Sequence, residues 1–351
     1  MRKIIKKWYL FIILILSGLP GCLKDNVTPP ADIHLSDKGK LLYYLEESGD
    51  YFNSEAMPSL VDADEVYSNL QNYLLLDIRS SEDYSSGHIE QAVNVPHTQL
   101  ISYLISVNTE EYNKIIIISN NGQSSAFYTC LLRLYGFDNT YSLSYGMATW
   151  NFQFSSEWFS ALNQEREYLI TFNMEFVPKP DYSPLPDITL QGSTLTDGFK
   201  QRISDIMNED FEDNLTGSSS YTTIDFSYLF ENSDDYFIVC YNSGPLYRQL
   251  ILGISHPPGT VLYLPPPDNS DLSSTTNLQT LPSSKKIAFY STDGQLSAFA
   301  VAYLRVLGYD AKSILFGANN MFYYILSSAG SLSEEAFSQS KIRNYPYVTG
   351  N

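Results

Sequence analysis

The residues with the most chemical potential lie in two short loops. One reads ISNNGQSSAF at 118–127 and the other YSTDGQLSAF at 290–299. Each follows an apolar run and leads into an apolar helical pattern, which reads as a strand, a loop and a helix. A junction of this kind points several backbone N–H groups at one spot. The helix dipole adds positive potential there, so the place suits an anion or a developing negative charge. In the first loop the candidate residues are Ser119, Asn120, Asn121, Gly122, Gln123, Ser124 and Ser125. In the second they are Ser291, Thr292, Asp293, Gly294, Gln295, Leu296 and Ser297. Gly122 and Gly294 allow the tight backbone course, and Ser125 and Ser297 are expected to cap the following helices. Neither loop carries Lys or Arg, and Asp293 disfavours an anion in the second.

A hydroxyl such as that of Ser119 needs an adjacent base before it can attack anything. His88 and His97 are the nearby candidates, with Asp77 to orient one of them, but no known triad motif joins these residues. Asp77 and Arg79 are the best charged pair near the first loop and read as a buried strand-end ion pair that organises it. Cys240 is the one thiol expected beside the second loop, with an inert core cysteine as the competing reading. Cys130 sits in the apolar helical pattern FYTCLLRLYGF and reads as a small buried hydrophobe. The four His and three Cys are scattered without ligand spacing, so neither a metal site nor a cofactor is expected. Two cysteines in separate repeats make no disulfide framework.

The elements that must position the loops are themselves duplicated. VDADEVYSNLQNYLLLD at 61–77 aligns without a gap on IDFSYLFENSDDYFIVC at 224–240, and LLRLYGFDN at 131–139 matches YLRVLGYDA at 303–311. Upstream, KGKLLYYLEESGDYF and DGFKQRISDIMNEDF place Gly39 on Gly198 and Phe52 on Phe211. Repeats of this length are whole domains. The first is expected to run as a helix over about 60–71, a strand YLLLDI, a short strand AVNVP and a helix near 98–106. A strand KIIIIS, the loop, the helix SAFYTCLLRLYG capped by Gly136, and a strand TYSLS then complete it. Strands apolar on both faces, alternating with helices, imply an α/β fold in which each domain is a parallel sheet with helices on both faces. The expected organisation is domain 1 at 37–160, a Pro-rich linker at 161–195 and a divergent domain 2 at 196–351.

The stretch LLLDIRSSEDYSSGHIEQAVNVP at 74–96 resembles the rhodanese-like family, through Leu-Leu-Asp-Ile-Arg at 75–79, Asp83-Tyr84, Gly87-His88-Ile89 and Ala92-Val93-Asn94-Val95-Pro96. LSYGMATW at 143–150 looks like that family's Leu-x-Gly-Gly-x-x-x-Trp ending. The second repeat keeps less, GISHPPGTVLYLP at 253–265 being a worn counterpart of the Gly-His-Ile stretch. The resemblance implies a sulfurtransferase scaffold whose loop begins with a cysteine that carries a persulfide. That position falls on Ser119 in one repeat and Ser291 in the other. It also implies that His88 serves its local turn. A thiolate forms near neutral pH at a helix N-terminus, whereas a serine hydroxyl does not ionise there and cannot hold a sulfur–sulfur bond. The resemblance therefore leads to a non-catalytic binding or scaffold module. The rival is a sulfurtransferase or sulfur carrier using Cys240 or a partner's thiol.

The N-terminus reads as targeting rather than structure. MRKIIKK is a basic segment, WYLFIILILS is apolar, and GLPGC places Cys22 at the end of a lipobox-like sequence. The expectation is a lipoprotein signal at 1–22, lipidation of Cys22, and a tether at 23–36 that holds the chain to a bacterial envelope membrane, facing the periplasm or the surface. An ordinary secretory signal or an anchor helix is the alternative. The chain carries 39 Asp and Glu against 21 Lys and Arg, and four of the basic residues (Arg2, Lys3, Lys6 and Lys7) lie in that segment. Such an acidic surface excludes nucleic-acid binding. With 28 Tyr it leaves an envelope protein as a candidate partner.

Overall fold

Runs such as YLLLD and KIIII have no polar face to give to water, and both become interior strands. The computed structural model describes residues 36–162, 175–242, 244–247, 256–267, 270–328 and 332–350. The expected signal segment with Cys22, nearly all of the tether and part of the linker lie outside them. In the first unit the strands are β1 (Leu60–Val61), β2 (Tyr73–Asp77), β3 (Val93–Asn94), β4 (Lys114–Ile118) and β5 (Thr140–Leu143). The helices are α1 (Asp37–Glu47), α2 (Ala63–Ser68), α3 (Ser81–Ser86), α4 (Leu100–Ser106), α5 (Gln123–Tyr135), α6 (Met147–Trp150) and α7 (Ser156–Ala161). The second unit has β6 (Thr223–Ile224), β7 (Tyr236–Tyr241), β8 (Val261–Tyr263), β9 (Lys286–Tyr290) and β10 (Ala311–Ile314). Its helices are α8 (Leu195–Met207), α9 (Phe226–Glu231), α10 (Gly244–Tyr247), α11 (Gln295–Val306), α12 (Gly317–Leu326) and α13 (Leu332–Glu335).

The two sheets have one topology, β1-β5-β4-β2-β3 and β6-β10-β9-β7-β8, and every pairing within them is parallel. The α/β expectation is met in both units. The helix expected over 60–71 is shorter than its pattern. Leu60–Val61 forms an edge strand, and α2 stops at Asn69, whose Nδ2 donates 2.9 Å to Glu65 O. A side-chain amide that competes for a helical carbonyl ends the helix, and Asn232 does the same to Tyr228 O in the second unit. Gly136 ends α5 at φ 122°, where its N–H reaches Leu132 O and Arg133 O.

Each unit lends its leading arm to the other. Phe52, just after α1, stacks on Tyr303 at 4.2 Å in the second unit, while Phe211, just after α8, packs on Phe127 at 5.3 Å in the first. Glu46 accepts from Ser274 N and Ser274 Oγ, and Tyr44 meets Phe199 between the arms. The returning chain at 343–350 also crosses back. Trp150 Nε1 donates to Pro346 O, and His88 pairs with Val348. One apolar core therefore runs from Leu74, Ile115 and Phe127 through to Val239, Phe289 and Phe299, and each sheet's outer face has a separate cluster. At about 1.5–3 kcal/mol for each large apolar side chain buried, this shared core binds the units into one body.

Candidate functional site

Both loops leave the carboxyl ends of central strands, β4 and β9, and enter the N-termini of the long helices α5 and α11. Their glycines take left-handed φ values, 89° at Gly122 and 83° at Gly294. Ser119 and Ser291 are each 1% exposed. Ser119 Oγ accepts from Gly122 N at 3.0 Å and Ser125 N at 3.4 Å, and donates to Ser125 Oγ at 3.0 Å. Ser291 Oγ accepts from Gly294 N at 3.1 Å and Ser297 N at 3.3 Å. The amide cradle is intact in both copies, and a neutral hydroxyl lies inside it. Asn121 Oδ1 and Asp293 Oδ1 take the next amides, those of Gln123 and Gln295. The helices are thus not capped by Ser125 and Ser297, as the sequence suggests. Those two are the third residues of their helices, where their hydroxyls pair with Ser142 and Ser313 on β5 and β10.

The two loops reach into each other. Gln123 Oε1 accepts from Phe316 N at 2.7 Å, and Gln295 Oε1 accepts from Tyr145 N at 2.7 Å. Both donors are backbone N–H groups, so only the amide oxygen fits there. Tyr145 and Phe316 sit at φ 58° and 59°, each just before a glycine. Tyr145 occupies the first glycine position of the Leu-x-Gly-Gly pattern. An aromatic residue in a left-handed conformation is strained, and it is held by packing. Tyr145 packs on Trp158 at 5.3 Å, and Trp158 packs on Phe316 at 4.9 Å.

A cavity of about 170 Å³ lies over Ser119, lined by Arg79, His97, Ser119, Ser124, Tyr128 and Asp213 among others. Asp213 comes from a turn in the strap after α8. Its carboxylate accepts from Ser124 N at 3.1 Å and Ser124 Oγ at 2.5 Å. Burial, with Glu157 beside it and against the pull of Ser124, pushes Asp213 up to about 7. Arg79 offers no free charge to the cavity: its Nε and Nη2 hold Asp77, with 2.6 Å from Nη2 to Oδ2, and Nη2 also reaches Gly87 O. The Asp77–Arg79 pair is the strand-end ion pair that the sequence indicates.

The histidines do not form a triad with Ser119. His88 places Nδ1 2.9 Å from Tyr84 O and stacks on Tyr84 at 3.7 Å, a turn role, and Asp77 is committed to Arg79. His97 stacks on Tyr128 at 4.7 Å and lies 3.2 Å from Asp210 Oδ1 without hydrogen-bond alignment. Desolvation lowers its pKa. Cys240, on β7 opposite Tyr290, is fully buried, and burial pushes its thiol up to about 12. The residue of that strand end that touches the second loop is Asn242, whose Nδ2 donates 2.6 Å to Thr292 Oγ1. Thr292 in turn donates to Glu335. Cys130 is also buried, and burial raises its thiol. Leu296 and Asn120 add no polar side-chain contact to either cradle, although Asn120 lines the cavity. Among the described residues no group of three or more His, Cys, Asp or Glu could hold a metal, and no helix is long and apolar enough to cross a membrane.

Sequence reasoning missed Asp213 and the glutamine exchange. The repeated Gln in NGQ and DGQ was the available signal for the exchange, whereas Asp213 had none, being distant in sequence from the loop it meets.

Residues 62–153 match the family described as Rhodanese-like domain. An uncharacterized protein of Buchnera aphidicola subsp. Schizaphis graminum (strain Sg) is 31% identical over 83 residues, covering 24% of this chain and 56% of that relative. This chain therefore spans little more than half the length of the curated relative it matches. Among solved structures, a thiosulfate sulfurtransferase from Pseudomonas aeruginosa is 13% identical over 86% of this chain and 68% of its own, with a TM-score of 0.26. A rhodanese-related protein from Thermoplasma volcanium is 24% identical over 25% of this chain and 84% of its own, with a TM-score of 0.23. The fold and loops define a protein of two tandem parallel α/β units. Within the first of those units, residues 62–153 match the rhodanese-like domain.

Proposed function

We propose that this chain is a non-catalytic tandem rhodanese-like protein, a binding or scaffold module held at a bacterial envelope by a lipid on Cys22. One observation carries the first half of the reading. In both loops the position of the sulfur-carrying thiol is a serine whose hydroxyl is already engaged by its own loop's amides. Such a hydroxyl has no base bonded to it and forms no persulfide. The basic and apolar leader ending in GLPGC supports the anchor. The rival reading, sulfur transfer through Cys240, gains nothing from a thiol that is fully buried and weakly acidic.

The test uses the full chain extracted in detergent and assayed for thiocyanate formation from thiosulfate and cyanide. No turnover above the protein-free rate is expected. Turnover that disappears in Cys240→Ser would overturn the non-catalytic reading. The anchor is tested separately by the mass of the N-terminal peptide, where an unmodified Cys22 would refute it.

A further inference from the structure

The strap from Glu209 to Gly217 meets the first loop through an arrangement that the second loop does not share. Tyr128 fixes its near end, with its hydroxyl donating to Glu209 O at 2.9 Å and accepting from Phe211 N at 3.1 Å. Its far end is fixed where Asp225 N donates to Ser218 O. Between these anchors, Asp213 closes on Ser124 N and Ser124 Oγ, Asn121 Nδ2 reaches Asp213 O at 3.5 Å, and Thr223 Oγ1 donates to Glu212 O. Asn214, Thr216 and Gly217 are exposed, and Gly217 turns at φ 60°. The aligned arms pair Phe52 with Phe211, which puts Ser54 opposite Asp213, and Ser54 Oγ instead bonds its own Tyr51 O. Only the first loop thus receives a carboxylate from the other unit's arm.

We propose that the segment 212–217 is a pH-sensitive lid: Asp213 holds it shut over the cradle of Ser119 and Ser124 at low pH, and it opens as the pH rises through neutrality. The geometry supplies the reason. A carboxylate beside Glu157, in a half-buried position with no cation paired to it, loses more by ionising than two donors from Ser124 return. The charged and titratable neighbours are Glu157 on α7, His97 with Asp210 and Tyr128 across the cavity, and Arg79, whose charge is taken by Asp77. The loop itself presents Ser119, Asn120, Asn121 and Ser124, none of them charged. Burial raises Glu157 as well, so both acids at this corner favour their neutral forms.

The sign follows from linkage. Asp213 binds its proton more tightly in the closed state, near 7 rather than the ordinary 3.8. The proton's contribution to closure is therefore fully present below the ordinary value and is lost as the pH rises through about 7. Opening exposes Ser119, the Ser124 amide and the cavity to solvent, so access to the cradle increases as the pH rises through neutrality.

Hydrogen exchange of the full chain tests this in peptides covering 119–128 and 209–217, with intrinsic exchange rates divided out. The opening equilibrium should rise about thirty-fold between pH 5.5 and 8.5. Asp213→Asn should flatten that dependence. Glu157→Gln, which removes the neighbouring charge, should move the midpoint to lower pH, and it provides a readout should Asp213→Asn not fold. Protection at these peptides that does not change with pH would overturn the proposal. So would an unchanged dependence in Asp213→Asn, or an unchanged midpoint in Glu157→Gln.

Discussion

Truncating Gln123 to alanine should destabilise the whole chain, although the residue stands at the first position of α5 and touches no known ligand. Gln123 is fully buried, and its Oε1 is the acceptor for Phe316 N, a backbone amide in a strained left-handed turn of the other unit. Leaving that amide unpaired costs about 1–3 kcal/mol, and the space vacated by the side chain adds about 1 more. The expected loss is about 2–4 kcal/mol, out of the roughly 5–15 that a folded domain holds. Urea unfolding followed by far-ultraviolet circular dichroism reads it as a lower midpoint at unchanged slope. Gln295→Ala should cost a similar amount through Tyr145 N. Because the two side chains cross in one seam, the double variant should lose less than the sum of the two. A loss below about 0.5 kcal/mol in Gln123→Ala, the range of an ordinary surface change, would refute the claim that the loops clasp each other.

Two further outcomes follow from the geometry. Arg79→Ala should cost about 3–5 kcal/mol in the same unfolding measurement, because it leaves Asp77 buried and uncompensated; a near-neutral effect would show the pair to be expendable. Ser119→Cys should place a thiol on the Gly122 and Ser125 amides. At pH 8.5, where the lid is open, iodoacetamide should label it more than about ten times faster than Cys130 or Cys240, and equal rates would mean that the cradle does not activate a thiol.

The fold was legible because its central strands are apolar on both faces and its helices end at marked residues such as Gly136. The two loops were legible because strand, Gly and helix recur with the same spacing. Asp77 and Arg79, two residues apart at a strand end, were readable as a pair for the same local reason. The remainder depends on contacts between distant parts of the chain. Nothing near Phe211 or Asp213 announces that their arm crosses to the other unit, since an exchanged arm and a docked one share the same apolar pattern. The helix over 60–71 was overextended because its hydrophobic spacing continues past Asn69, where a side-chain bond to Glu65 O ends it. Ser125 and Ser297 matched a capping preference, but the helices begin at Gln123 and Gln295, so both serines lie within the first turn and their hydroxyls pair with Ser142 and Ser313.

The central claim is that both cradles have lost the sulfur carrier while keeping its surroundings. The most direct measurement is the intact mass of the full chain after incubation with excess thiosulfate, and then with polysulfide. The account predicts no added mass under either condition. Gain of a single sulfur atom, mapped to Cys240 or to any residue of the two loops, would contradict it.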